Sequence, residues 1–382
     1  MNKSNIKILI TDVEFRKAFD VVNIMQRYYK YDCILCAGSK ARVRLPLIYG
    51  SKIYKLGKGT SDEFNRDLNE ILKKFKDQKI VYMPLSEDTT SLFYKYTDSH
   101  SNSNLFHKLP KEEYFDLTGN KGKFQLYCEK KGFPVPREYT YDDIESLKKN
   151  FRPLILKPHD GQGSFGIQYF HSPDELKKLK DYDLSRYILQ DKVISDKKVI
   201  GAFFLCDNGK VINSYTHQRL RTFPVIGGST VFSKTIFNDQ VIDIGKRLLK
   251  DLEWNGMAMI EFMYDAPSKE WKIIELNPRI WGSIMLSAFN HSNFLDDYVR
   301  LCLGMEIEKK REIRPVYIRW LVPYEFLNLM KRNISLKEFL TIKRSETCYV
   351  NFTYSGTFRA FSYLLYFTFN KKSISRFIKK IF

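Results

Sequence analysis

The order of apolar segments predicts a mixed chain. An α/β unit of alternating strands and helices comes first, an α+β unit rich in paired strands follows, and a basic, aromatic extension ends it. Three observations carry this reading. Between residues 6 and 84, short buried-strand runs alternate with helical periods, the pattern of a mainly parallel sheet. From 153 to 277 strands come in pairs across short polar turns. The last 82 of the 382 residues hold 16 Lys+Arg against 6 Asp+Glu, more than half of a net charge of +19.

Each element can be justified in turn. Residues 6–11 read as a strand, 14–28 as a helix and 32–37 as a second strand. Residues 40–56 read as irregular, 62–75 as a helix capped by Ser61, and 79–84 as a strand leading into a loop at 86–90. The polar stretch 98–104 closes the first domain. A helix at 121–131 stops at the break from Gly132 to Pro136, and Thr140 starts another that runs to 149. A strand at 153–157, a Gly-rich turn and a strand at 167–170 precede a helix that Ser172 caps with Pro173 at its first position. After a strand at 187–193, strands at 201–206 and 211–217 flank an Asp-Asn-Gly turn. A loop with Gly227 and Gly228, a helix at 240–251 and strands at 257–264 and 271–277 complete the unit.

Composition narrows the class. Hydrophobic residues make up 43% with few Gly and Pro, which excludes a disordered or low-complexity chain. Six Cys without framework spacing point to a reducing, cytoplasmic setting, and Cys33 and Cys36 read as part of a buried strand rather than a redox pair or half a zinc site. The first apolar stretch is too short for a signal peptide. The positive charge would suit nucleic acid, an anionic membrane or anionic small molecules. No recognition motif for nucleic acid accompanies it, so none is expected as a partner.

Two constellations carry chemistry. Gly161-Gln162-Gly163-Ser164-Phe165-Gly166 matches a dinucleotide fingerprint in letters, yet a strand follows it where that motif needs a helix. A Gly-rich hairpin preceded by Lys157 describes it better, a lid whose backbone N–H groups cover phosphates. Further on, Glu275 and Asn277 share one strand face, and a hairpin across 265–270 sets Glu261 opposite Glu275. Both strands are otherwise apolar, so these groups need a cation or a partner. Three oxygen donors without nearby His or Cys suit Mg²⁺, and Mn²⁺ as its substitute. Arg279 follows on the same period, placed for phosphoryl oxygens.

With these residues the chain resembles the ATP-grasp superfamily, which includes carbamoyl phosphate synthetase, biotin carboxylase and D-alanine:D-alanine ligase. The resemblance spans about 111–300 and rests on Lys121 ahead of the Gly132–Pro136 break, Lys157, the segment from Gln190 to Ile194, and Glu261 with Glu275, Asn277 and Arg279. It implies an ATP-grasp fold at 111–305, with a lid subdomain at about 123–190 and a metal-binding, catalytic subdomain at about 191–305. A Rossmann-like α/β domain would precede it at 1–110, and an extension at 306–382 would follow. By the same resemblance Lys121, Lys157, Gly161, Gly163, Ser164 and Gln190 bind ATP, with main-chain groups of Asp191, Lys192 and Val193 at the adenine. Glu261, Glu275 and Asn277 hold Mg²⁺, and Arg279 and Lys157 act in catalysis. Many members place a ribose-binding acid about seven residues beyond the hinge start, where this chain has Lys197 and Lys198, with Asp196 beside them.

The reaction so implied is a carboxylate attack on the γ-phosphate of ATP, followed by capture of the acyl phosphate by an amine, with ADP and phosphate released. Other acyl-phosphate or carboxyphosphate chemistry, or ATP binding without catalysis, are the alternatives. No side-chain nucleophile is needed. On the acceptor side, the period of two puts His217, Arg219 and Arg221 on one face as a clamp for an anionic substrate, with Gly228 allowing close approach. Trp281 would wall this pocket or pack in the core. The partners expected are a small carboxylate and an amine, with a homodimer as the assembly. The tail at 358–382 would touch a membrane surface as an amphipathic segment or pack on the catalytic domain.

Overall fold

The computed structural model describes residues 3–38, 45–159, 166–196, 199–225, 228–308, 312–340 and 348–350. Its first unit is a five-stranded sheet of β1 (Ile6–Ile10), β2 (Asp32–Ala37), β3 (Ile53–Lys55), β4 (Lys79–Met83) and β5 (Leu105–Phe106). All its pairings are parallel, in the order β3-β2-β1-β4-β5. Helices α1 (Arg16–Asn23), α2 (Leu45–Tyr49), α3 (Ser61–Lys74) and α4 (Glu87–Ser99) accompany it. Ile8, Ile10, Leu35 and Val81 belong to the cluster that includes α1, and Leu9, Ile34, Cys36 and Tyr82 to the one that includes α3 and α4. Burial on both faces explains why the strands read as continuous apolar runs.

Several expectations need correction here. The stretch 40–56 is not wholly irregular, because α2 and β3 lie within it. The cap of α3 is Thr60, not Ser61: Thr60 has extended backbone and accepts from the Glu63 N–H at 3.1 Å. Residues 86–90 are no loop but the start of α4, with Ser86 accepting from the Thr89 N–H and two acids in the first turn. Cys33 and Cys36 do lie on β2, and burial pushes both thiols well up, away from thiolate chemistry.

Two helices, α5 (Glu112–Gly119) and α6 (Lys121–Lys130), lead into a four-stranded antiparallel sheet. It consists of β6 (Glu138–Tyr139), β7 (Leu154–Pro158), β8 (Gln168–Phe170) and β9 (Tyr187–Asp191) in the order β6-β9-β7-β8, with α7 (Ile144–Lys149) between β6 and β7. Leu154, Leu156, Phe170 and Leu189 form its core face with Leu147 of α7. Glu138, Ile155, Lys157, Ile188 and Gln190 stand on the other face.

The largest sheet has seven strands in the order β14-β13-β10-β11-β12-β15-β16. They are β10 (Ile200–Asp207), β11 (Lys210–Phe223), β12 (Ser229–Ile236), β13 (Gly256–Asp265), β14 (Glu270–Asn277), β15 (Tyr317–Arg319) and β16 (Cys348–Val350). Strand β12 fills the stretch between the expected loop with Gly227 and Gly228 and the helix at 240–251, where no strand was expected. The boundary expected at 305 leaves no separate extension over 317–319, because β15 pairs with β12. Ala202, Phe204, Ala258 and Ile260 pack with residues of α8 (Asp239–Asp251) on one face. On the other, Phe203, Tyr215 and Met259 join the core of the first unit. That second face turns polar one row further along the strands, and the candidate site lies there.

Candidate functional site

Cross-strand register draws the site as a line. Glu275 pairs with Glu261, Glu261 with Gly201, Gly201 with His217, and His217 with Thr235. Residues opposite each other in a sheet share a face, so two carboxylates and an imidazole stand on one side across four strands. The predicted hairpin therefore brings Glu261 and Glu275 together in register.

Their charges are held differently. Arg219 donates to Glu261 Oε1. Glu275 Oε1 accepts from the Asn277 amide at 2.9 Å, and Asn277 Oδ1 accepts from Arg279 Nη2 at 2.7 Å. Burial pushes the Glu261 carboxyl up, and the neighbouring Glu275 charge adds to this against the pull of Arg219. Burial acts on Glu275 too. There the Asn277 amide and the charges of Lys121, Arg279 and Arg219 together outweigh it and hold the carboxyl below its ordinary range.

Lys157 approaches from the four-stranded sheet. It is buried, and desolvation lowers its ammonium to about 8 despite the attraction of Glu275, with Lys121 adding repulsion. Lys121 opens α6, and its N–H donates to the carbonyl of His159 at 3.0 Å, which ties the helix start to the segment after β7. Both lysines thus act electrostatically on the Glu275 region. Glu138 and Gln190 share the face of Lys157, Gln190 is buried, and its Nε2 has no partner among the described residues. Gly161, Gly163 and Ser164 lie outside the described residues, as do Lys197 and Lys198.

At the expected adenine segment, two of three N–H groups are already engaged. Asp191 N–H donates to Arg137 O and Lys192 N–H to Pro153 O, both at 2.9 Å. The Asp191 carboxylate accepts from Tyr139 and Arg152 instead of facing a ligand.

Sequence reading missed the contribution of the first unit. Arg279 Nε donates to Glu87 Oε1 at 2.9 Å across 192 residues, Lys17 Nζ to the Ile280 carbonyl at 2.9 Å, and Arg16 Nη2 to the Gly282 carbonyl at 3.4 Å. Burial holds the Lys17 amine well below its ordinary value, with the Arg279 charge adding to it. Glu87 sits in the first turn of α4, where an acid is favoured by the helix dipole. That first-turn signal was available, but its partner was not.

The three-residue clamp does not form as expected. A register shift between Arg219 and Arg221 sets Arg221 opposite Phe232, whereas Arg219 is opposite Ser233. Phe232 and Ser233 face opposite ways, so the bulge turns Arg221 away from Arg219. Arg221 Nε donates to Glu325 Oε1 at 2.7 Å, and Glu325 Oε2 accepts from Arg319 Nε at 2.8 Å. His217 is fully buried, shares a hydrogen bond between Nδ1 and Ser283 Oγ at 3.1 Å, and is held well below its ordinary pKa by burial and Arg219. Trp281 lines no open wall: it is fully buried, stacks on Phe203 and donates to Tyr215 Oη at 3.1 Å. Gly228 is required by its own turn, since a Cβ there would lie 2.0 Å from the Pro224 carbonyl oxygen.

The donor set fits Mg²⁺. Two partly buried carboxylates opposed in register, one of them pushed toward its neutral form, form a place where a divalent cation would relieve repulsion. Among the described residues no group of three or more His, Cys, Asp and Glu could hold a metal ion, and the set here is two carboxylates and an amide. That partial shell suits an ion completed by phosphate oxygens and water.

Residues 118–283 match the model of the ATP-grasp domain. Pyruvate carboxylase of Bacillus subtilis (strain 168) is 26% identical over 191 residues, 45% of this chain but only 16% of that protein. Two solved structures share the fold. The biotin carboxylase domain of Hydrogenobacter thermophilus 2-oxoglutarate carboxylase, in complex with MgADP, ADP and bicarbonate, superposes with a TM-score of 0.62 at 13% identity, covering 83% of this chain and 74% of that one. N5-carboxyaminoimidazole ribonucleotide synthetase from Thermus thermophilus gives 0.58 at 14%, covering 81% of each chain.

Proposed function

We propose, from the premise that residues 118–283 are an ATP-grasp domain, that this chain is an ATP-dependent, Mg²⁺-requiring ligase that activates a carboxylate and joins it to an amine. The observation that carries the reading is the register pair Glu261 and Glu275, linked through Asn277 to Arg279 and flanked by Lys157 and Lys121. These groups suit a triphosphate: two ammonium groups for its oxygens, two carboxylates and an amide for its Mg²⁺, and a guanidinium for charge that develops during transfer. The first unit, with its 3-2-1-4-5 parallel order, reads as the Rossmann-like domain that precedes the ligase core.

In this reading a carboxylate oxygen attacks the γ-phosphorus, the bond to the ADP oxygen breaks, and an acyl phosphate results. An amine nitrogen then attacks the acyl carbon, phosphate leaves, and the nitrogen gives up a proton. Lys157 and Lys121 neutralise phosphate oxygens, while Arg279, held by Glu87 and Asn277, is aimed rather than free. Mg²⁺, held by Glu261, Glu275 and Asn277, would screen the phosphate charge. The carboxylation chemistry in the neighbours' names favours a second reading, with carboxyphosphate as the activated species.

The test is to mix the protein with Mg-ATP and pools of carboxylates and amines, and to follow ADP, AMP and phosphate. Amine-dependent ADP plus phosphate is expected. AMP plus pyrophosphate would reject the mechanism.

A further inference from the structure

The sheet face beside Glu261 holds a second group of side chains with an unusual property. His217 and Arg219 on β11 pair with Thr235 and Ser233 on β12, a two-by-two block of one face. In each of the four residues one polar atom is buried without a hydrogen-bond partner among the described residues: His217 Nε2, Arg219 Nε, Ser233 Oγ and Thr235 Oγ1. His217, Ser233 and Thr235 are themselves almost wholly buried. A buried polar group without a partner is destabilising, and native proteins carry few of them. Four in one block of two strands are not scattered imperfection.

The block has one chemical character. A guanidinium N–H and two hydroxyls can donate, and the imidazole Nε2 donates in the tautomer whose Nδ1 accepts from Ser283. No carboxylate oxygen is among the four atoms. Arg219 spends one donor on Glu261 and keeps Nε unpaired, so the block offers directed donors with little surplus charge. Gly201 is part of the design. A Cβ there would lie 2.8 Å from His217 Nε2, so the bare glycine lets the imidazole lie across β10 toward Glu261.

We infer that His217, Arg219, Ser233 and Thr235 form the seat for the oxyanion of the carboxylate acceptor, beside the phosphate and metal groups. The inference rests on the ligase reading above and adds to it the residues that recognise the acceptor. Donors grouped this closely suit the two oxygens of a small carboxylate head.

The probe is ¹³C-formate, the smallest carboxylate, titrated into the full chain with a non-hydrolysable Mg-ATP analogue and followed by NMR line broadening. Saturable formate binding is expected, weakened at least tenfold in Ser233→Ala combined with Thr235→Val. Affinity for a fluorescent ATP analogue should not change, and Thr235→Ser should keep formate binding. Each of the first two substitutions deletes an unsatisfied hydroxyl, so the melting temperature should hold or rise, the reverse of what a structural role predicts. Formate binding unaltered in the double variant, or absent while the ATP analogue binds, overturns the seat alone. Failure of the wild-type chain to bind the ATP analogue overturns the ligase reading itself.

Discussion

Two ionic systems stand on opposite faces of the seven-stranded sheet, and they are completed to different degrees. On one face Glu325 gives Oε1 to Arg221 and Oε2 to Arg319, Arg319 also donates to the Phe339 carbonyl, and both guanidiniums lie over the Phe232 ring at 4.4 and 5.5 Å. Each carboxylate oxygen has its own cation. On the other face Glu261 and Glu275 oppose each other, Glu261 is pushed toward its neutral form, and Arg219 and His217 keep nitrogens unpartnered among the described residues. A closed network fastens β11 to the segment after β15, whereas the open one leaves polar atoms without partners among the described residues. The one-residue bulge between Arg219 and Arg221 assigns neighbouring arginines to the two.

The contrast is broken most severely at Glu325. Replacing it with Ala strands two guanidiniums, and about 3–5 kcal/mol of stability should disappear in urea unfolding. On the open face the effects should exchange. Glu275→Gln should lower ATP turnover by about 10²–10³-fold while the urea midpoint moves little. A comparable loss of stability there would mean that Glu275 is a structural ion like Glu325.

A subtler difference concerns pH. Lys157 titrates near 8 in the folded protein, because burial disfavours its charge. Affinity of the free protein for Mg-ATP should therefore fall as pH rises through about 8, and Lys157→Arg should flatten the profile. The unfolded chain keeps this proton to about 10.4, so between these values stability should rise with pH while nucleotide affinity falls. The smallest effect is expected at Glu87→Gln, which loosens Arg279 without touching the ligand groups. About a fivefold loss of turnover, near 1 kcal/mol, should show in steady-state assays.

What the sequence revealed follows from how local each cause is. The pairing of Glu261 with Glu275 was legible because two apolar strands and a short polar turn fix their own register. The lysines and the 187–191 strand were legible through motif order. The bulge at Arg219 left no trace, since an extra residue in a strand changes geometry and not composition. Strand β12 escaped because its site-facing positions include Ser233 and Thr235, so no apolar alternation marked it. Glu87 was invisible as a site residue because only the fold brings it to Arg279.

The most direct test of the central claim uses pooled carboxylates labelled with ¹⁸O, supplied with Mg-ATP and amines. An acyl phosphate must pass one carboxylate oxygen to the phosphate released, so ¹⁸O-labelled phosphate should accumulate with ADP. Label-free phosphate from a turnover that depends on the carboxylate, or AMP in place of ADP, would contradict it.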